Sequence, residues 1–173
     1  MNELQSLLAL CPASGPRNAV LPTAPAGFAV PPNHRALIGA YGPGCFDEFL
    51  WVYAEGSAQP GLDLVRQTEE VRRLLREYPE PDLPALLAED GLTTDDLVQW
   101  AGTDNADMLF WLPVGEPDDW PTLAVQAGRL RFARLPLSST GVLLALLSGE
   151  VRLDLFPDDF PSERPEFSIS PYA

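Results

Sequence analysis

His34 is the only histidine in this chain, so any chemistry that needs an imidazole must run through it. Cys45 lies across the turn Gly42-Pro43-Gly44 from it and Cys11 is far upstream, which leaves no clustered nitrogen and sulfur set of the kind zinc requires. Asp104, Asp107, Asp118 and Asp119 have a spacing similar to that of oxygen-ligand loops. The glycine and terminal glutamate of a helix-loop-helix calcium site are missing, however. A Ser-His-acid arrangement would have to use His34, and no serine sits on a glycine-flanked strand-to-helix elbow. Gly42-Pro43-Gly44 is a poor phosphate cradle, because proline stands where a donated N–H is wanted. The adjacent acids Asp47/Glu48, Asp95/Asp96 and Asp118/Asp119 are what chance gives a chain with 25 acidic residues. The expectation is therefore a protein without catalytic residues, metal or cofactor, with His34 half-exposed on the outer face of a short helix.

Charge narrows the partner. A formal net charge of −14 excludes nucleic acid as a direct ligand, since that binding neutralises phosphates with Lys and Arg. The same charge repels anionic membranes and favours a basic protein partner. Acidity also keeps a chain soluble, and charge alone does not separate the two uses. All 11 basic residues are arginine, which with the abundant Ala, Pro, Gly, Leu and Asp reads as the mark of a GC-rich genome. Cys11 and Cys45 are read as reduced thiols in a cytoplasmic protein. Leu7-Leu8-Ala9-Leu10-Cys11 superficially resembles a lipoprotein box, but the basic n-region is absent, the apolar run is short and Leu10 replaces the small residue before the cysteine. No run approaches the ~20 apolar residues that span a bilayer.

The stretch Trp100 to Pro121 carries the most information. It joins a polar turn (Thr103, Asp104, Asn105), an apolar strand (Met108 to Leu112) and an acidic corner (Pro117 to Pro121). Trp51, Trp100 and Trp111 at strand positions read as core. Trp120, between Asp119 and Pro121, is the exception that could anchor an interface. Asp104, Asp107, Glu116, Asp118 and Asp119, with Trp120 beside them, are the candidate partner-binding residues. Capping and shaping the turns is the competing role for those acids.

These residues must be positioned by an α+β framework. The 173 residues, 46% of them hydrophobic, suffice for one domain, which at this size buries roughly 70% of its unfolded surface. The 19 prolines predict short elements. Asn2 to Leu10 reads as a short amphipathic helix, followed by a Pro/Ala-rich linker to residue 29. A proline-led helix covers Asn33 to Tyr41, with Gly42 as its stop. Phe46 to Tyr53 reads as one strand. Asp63 to Tyr78 is the clearest helix, with Leu64, Thr68, Val71, Leu75 and Tyr78 at helical spacing and charges ordered to suit the dipole. Pro81 to Leu92 reads as a helical turn and loop. Strands follow at Leu97 to Trp100, Met108 to Leu112, Leu123 to Gln126 and Leu130 to Phe132, the last two joined through Ala127-Gly128. Arg129 and Arg131 alternate with Leu130 and Phe132 as on a sheet with one wet face. Ser138-Ser139-Thr140 caps a buried helix, Val142 to Leu147, closed by Gly149. From Pro157 onward the chain reads as irregular.

Several of these pieces fall in a familiar order. Val30-Pro31-Pro32, then Leu37 to Tyr41-Gly42-Pro43-Gly44-Cys45-Phe46, then Trp100-Ala101-Gly102-Thr103-Asp104-Asn105-Ala106-Asp107 running into Met108 to Trp111, then Pro117-Asp118-Asp119-Trp120-Pro121, and Ser139 to Gly149 together resemble the SUKH superfamily. That group includes fungal cell-wall-assembly regulators and many bacterial immunity proteins. The match covers residues 30–160, leaving 1–29 as an N-terminal helix and linker and 161–173 as an irregular tail. The resemblance implies an α+β fold with a central, mostly antiparallel sheet flanked by helices, and no catalytic residues. Bacterial relatives mostly neutralise a cognate toxin by binding it, often a nuclease or deaminase. A chain this acidic suits a basic nuclease, whose inhibitor then mimics the charge of nucleic acid. An interaction scaffold without a toxin partner, like the fungal relatives, is the alternative.

Overall fold

Residues 1–15, 27–128 and 131–169 are described by a computed structural model. In chain order they form α1 (Glu3–Leu10), α2 (Pro32–Tyr41), β1 (Gly44–Phe46), β2 (Leu50–Val52), α3 (Leu64–Glu77), α4 (Asp82–Ala88), β3 (Val98–Thr103), β4 (Met108–Trp111), β5 (Thr122–Val125), β6 (Phe132–Leu135), α5 (Ser139–Leu147) and β7 (Phe167–Ser168). Helices begin where side chains can take up the free N–H groups of a first turn. Asp63 accepts from the Arg66 amide at the head of α3, and Ser138 accepts from the Gly141 amide at the head of α5. Asn2 and Gln5 form a reciprocal capping box at α1. Helix α2 has proline at this position and no cap of its own.

The seven strands form one sheet in the order β6-β5-β4-β3-β2-β1-β7, and each neighbouring pair is antiparallel. The α+β fold is the one the residue pattern predicts, and the antiparallel sheet is the one the resemblance implies. Period-two alternation along β4 then decides what each residue touches. Leu109 and Trp111 pack with Trp100, Leu143 and Leu146 on one face, whereas Met108 and Phe110 pack with Val71, Leu75, Leu83 and Leu87 on the other. The central strands are thus buried on both faces, with α3 and α4 on one side and α1, α2 and α5 on the other. A register shift between Gln99 and Ala101 places Trp100 and Ala101 in the same core cluster.

Other expectations need correction. Phe46 to Tyr53 is two strands, because Phe49 N–H bonds Phe46 O and closes a two-residue turn with Asp47 at φ 54° and Glu48 at φ 55°. That left-handed pair matches the twist of a hairpin, but it costs a Glu roughly 1–2 kcal/mol. Strand β6 starts two residues later than Leu130; Arg129 and Leu130 themselves lie outside the described residues. The tail is less irregular than its composition suggests, since β7 pairs with β1. Gly44 makes room for it: a Cβ there would stand 2.5 Å from the Phe167 ring. Helix α1 is also part of the packed body, with Leu7 buried and Glu3 accepting from the Ser138 hydroxyl beside α5. The linker expected ahead of α2 falls largely on residues 16–26, outside those described.

Candidate functional site

Antiparallel topology divides the expected acidic corner. Asp104 and Asp107 lie in the turn that opens β4, whereas Glu116, Asp118, Asp119 and Trp120 follow its far end. A four-residue strand alone separates such positions by about 13 Å, so the six residues do not form one face. Asp107 is buried and structural: its carboxylate accepts from the Thr103 hydroxyl at 2.8 Å and from the Ala127 amide at 3.0 Å. Asp104 is exposed and accepts from Trp51 Nε1 at 2.7 Å.

At the other end, Trp120 is no exposed anchor. It is 8% exposed, packs against Trp111 and donates from Nε1 to Gly115 O at 3.1 Å. Asp118 supplies what α2 lacks. Its carboxylate accepts from the Asn33 amide at 2.8 Å, and its carbonyl accepts from Asn33 Nδ2 at 3.0 Å. A carboxylate from 85 positions away therefore caps the helix and faces its positive end. Asp118→Ala is expected to lower stability by about 1 kcal/mol, as loss of an N-cap does, visible as a lower urea midpoint; an unchanged midpoint would show the cap to be idle. Glu116 and Asp119 remain exposed at the surface.

His34 departs furthest from expectation. Instead of facing solvent from the outer face of α2, it is 1% exposed and bonded through both nitrogens. Nε2 lies 2.8 Å from Tyr53 O, and a carbonyl only accepts, so Nε2 carries the proton. Nδ1 is then the acceptor for the Ser139 hydroxyl at 3.0 Å. The ring meets Trp111 edge-on at 4.8 Å. Burial pushes the imidazole down to about 4, against the weaker opposing influence of the Tyr53 carbonyl and Glu55. A serine beside a histidine resembles half of a hydrolytic triad, but Ser139 is completely buried in the first turn of α5 and Nε2 is held by a backbone carbonyl. This pair joins α2 to α5, and the ring also ties α2 to Tyr53 just after β2; it has no room for a substrate.

An acidic groove forms elsewhere, and none of the candidate binding residues lines it. Asp47 and Glu48 from the β1–β2 turn, Asn105 from the β3–β4 turn, and Asp159, Arg164 and Glu166 from the C-terminal segment surround a cavity of about 540 Å³. Phe49 and Phe160, 4.9 Å apart between ring centres, are its aromatic lining. The turns are brought together by the Asp104 amide donating to Phe49 O at 3.1 Å. Asp47 fastens the C-terminal segment, accepting from the Ser162 amide and hydroxyl at 2.6 Å each, while its own amide donates to Glu166 O. These bonds hold the left-handed turn. The negative field reaches inward as well: burial first, then Asp47 and Glu166, pushes the Cys11 thiol up to about 11. Burial, followed by Asp104, Glu48 and Asp47, pushes Cys45 up. Both cysteines are free thiols. Among the described residues no group of His, Cys, Asp or Glu is placed to hold a metal ion, and no helix is long and apolar enough to cross a membrane.

The groove escapes sequence reading because its walls come from positions 47–49, 105 and 157–166, which only the sheet order brings together. The available signal was the acid-rich tail itself, with Asp158, Asp159, Glu163 and Glu166 close in sequence. No protein-family model matches this sequence, and no curated protein or solved structure matches it either. The likeness to the SUKH superfamily therefore rests on the quoted motifs alone.

Proposed function

We propose that this chain is a non-catalytic protein-binding domain that neutralises a cognate toxin, a basic nuclease domain being the best fit, by binding it directly in the cytoplasm of the producing cell. The observation that carries this reading is the acidic groove between the two turns and the C-terminal segment, on a chain of net charge −14. Four carboxylates against one guanidinium line the cavity. A concave surface of one sign focuses the field and raises the rate at which an oppositely charged partner arrives. The aromatic rings of Phe49 and Phe160 give the same groove a desolvated floor on which an anchoring side chain can rest. An inhibitor of this kind occupies the surface with which a nuclease holds phosphate, and needs no chemistry of its own. The motif resemblance to immunity proteins supports the same reading.

The test is association kinetics with a basic toxin domain. Glu48→Arg with Asp159→Arg is expected to slow association about tenfold at low salt and to flatten its salt dependence, because steering acts mainly on the on-rate. Thermal stability should change little, since both side chains are exposed. An on-rate and salt slope equal to wild type would remove the groove from the interface. Co-expression then separates the two kinds of binding protein: rescue from toxicity marks an immunity protein, and binding to a basic partner that is not toxic marks a scaffold.

A further inference from the structure

A second cleft, of about 320 Å³, lies between α3 and the turn end of the β3–β4 hairpin. Its lining includes two polar groups with no protein partner among the described residues. Tyr53 is 8% exposed and its hydroxyl, which sits over Gly102, has no hydrogen-bond partner among the described residues. Gly102 has to be glycine for this placement, since a Cβ would collide with that hydroxyl. Gln99 is 5% exposed; its Nε2 donates to Ala101 O at 3.1 Å, which fixes the amide orientation and leaves Oε1 as an acceptor with no partner among the described residues. Neither atom is among the unpaired ones sealed from solvent, which are Asn33 Oδ1, Trp100 Nε1 and Thr140 Oγ1, so both line the cleft where an entering group can reach them. Val71 and Met108 form apolar wall, and Glu70, Arg73 and Leu74 stand at the mouth. Arg73 is engaged with Glu77 at 3.3 Å, and the Asp107 carboxylate is already occupied by Thr103 and Ala127.

We propose that this cleft receives the side chain of an arginine on the protein partner, a proposal that rests on the basic partner argued above. Gln99 Oε1 can only accept, and the Tyr53 hydroxyl can accept as readily as donate, so the complementary occupant is a donor with more than one N–H. A guanidinium presents five in a planar fork on an apolar stem, which suits two acceptors behind walls of Val71 and Met108. Its charge meets Glu70 at the mouth. An ammonium is a strongly hydrated point charge and fits less well among those walls. The cleft would thus add shape and hydrogen-bond selectivity to a partner that the acidic groove attracts by charge.

The experiment is an NMR titration of the full chain with acetyl-Gly-Arg-Gly-amide, and with the Lys and Gln counterparts. The arginine peptide is expected to shift the Gln99 side-chain amide, the Gly102 amide and the Met108 methyl, and to bind more tightly than either counterpart. Tyr53→Phe should weaken it roughly tenfold, as loss of a hydrogen bond to a charged group does, without changing the melting temperature. Leu74→Arg, at an exposed position on the rim, should weaken it also and serves if the first variant misfolds. Equal binding of the three peptides, shifts confined to the Asp47/Glu48 groove, or an unaffected Tyr53→Phe variant would overturn the inference. If a basic toxin still binds and is slowed by the groove substitutions while the peptide stays out of the cleft, this inference alone falls. Entry of the arginine peptide into the cleft without binding of any toxin supports the cleft and counts against the functional reading.

Discussion

Trp100→Ala and Phe110→Ala are each expected to destabilise the protein by about 3–5 kcal/mol, the range for truncating a large buried aromatic. Both side chains are completely buried, on neighbouring strands, yet they belong to opposite faces of the sheet. Trp100 stacks near-parallel to Trp111 at 6.4 Å and meets His34 edge-on at 6.0 Å, whereas Phe110 packs under α3 and α4. Because the two share no packing partners, the losses should add to within about half a kcal/mol. A double variant losing about 6–10 kcal/mol would exhaust most of a typical ~5–15 kcal/mol stability and should be largely unfolded. Trp100 carries one internal debit: its buried Nε1 has no hydrogen-bond partner among the described residues. Trp100→Phe removes that unpaired donor while keeping a ring, so it should cost far less than Trp100→Ala. Urea unfolding followed by far-UV circular dichroism reads all of these. Unchanged midpoints for both alanine variants would mean that the sheet is wrongly placed; strong coupling between them would mean that one core, not two, spans the strands.

What could be read from the sequence was what local chemistry determines. Helix α3 was legible because Leu64, Thr68, Val71 and Leu75 repeat on one face and are buried, with Asp63 capping the first turn. The same holds for β4, and for α5, whose nearly all-round apolar surface required burial on both sides. What stayed illegible was fixed by distant partners. The hairpin turn at Asp47-Glu48 carries neither glycine nor asparagine to announce its left-handed backbone, and it is held by Ser162 and Glu166 more than a hundred positions away. His34 looked like a surface residue because its partner Ser139 is 105 positions off. The candidate acids divided in the same way. Asp107 and Asp118 were consumed by the turn and by α2, as the structural reading of such residues would have it, while Asp104 came to rest beside the acidic groove. A count of carboxylates gives the sign of the field; only the order of the strands says where it is concentrated.

Stability is expected to fall by about 3 kcal/mol as the pH drops from 6.5 to about 4, on account of His34 alone. In the fold the imidazole is fully buried and neutral, donating from Nε2 to Tyr53 O and accepting at Nδ1 from Ser139, and burial holds its protonation down at about 4. In the unfolded chain the same group protonates near its ordinary value of about 6.5. Between those two values the unfolded state binds a proton that the folded state refuses, so each unit of acidification costs the fold up to about 1.4 kcal/mol. The full contribution is present above pH 6.5, is lost on the way down to about pH 4, and does not change further below it. Protonation of Nδ1 would also reverse the Ser139 bond, turning an acceptor into a donor and loosening the joint between α2 and α5. Because the chain has 1 histidine, its imidazole resonances are unambiguous in a pH titration. They should stay in the neutral position until about pH 4, with Nε2 protonated throughout. Urea midpoints of wild type and His34→Gln across pH 4–7 isolate the group from the carboxylates. The variant should be weaker at pH 7, and the gap should close on acidification. A histidine that titrates near 6.5, or a stability gap independent of pH, would show that His34 is open to solvent and that α2 is docked by something else.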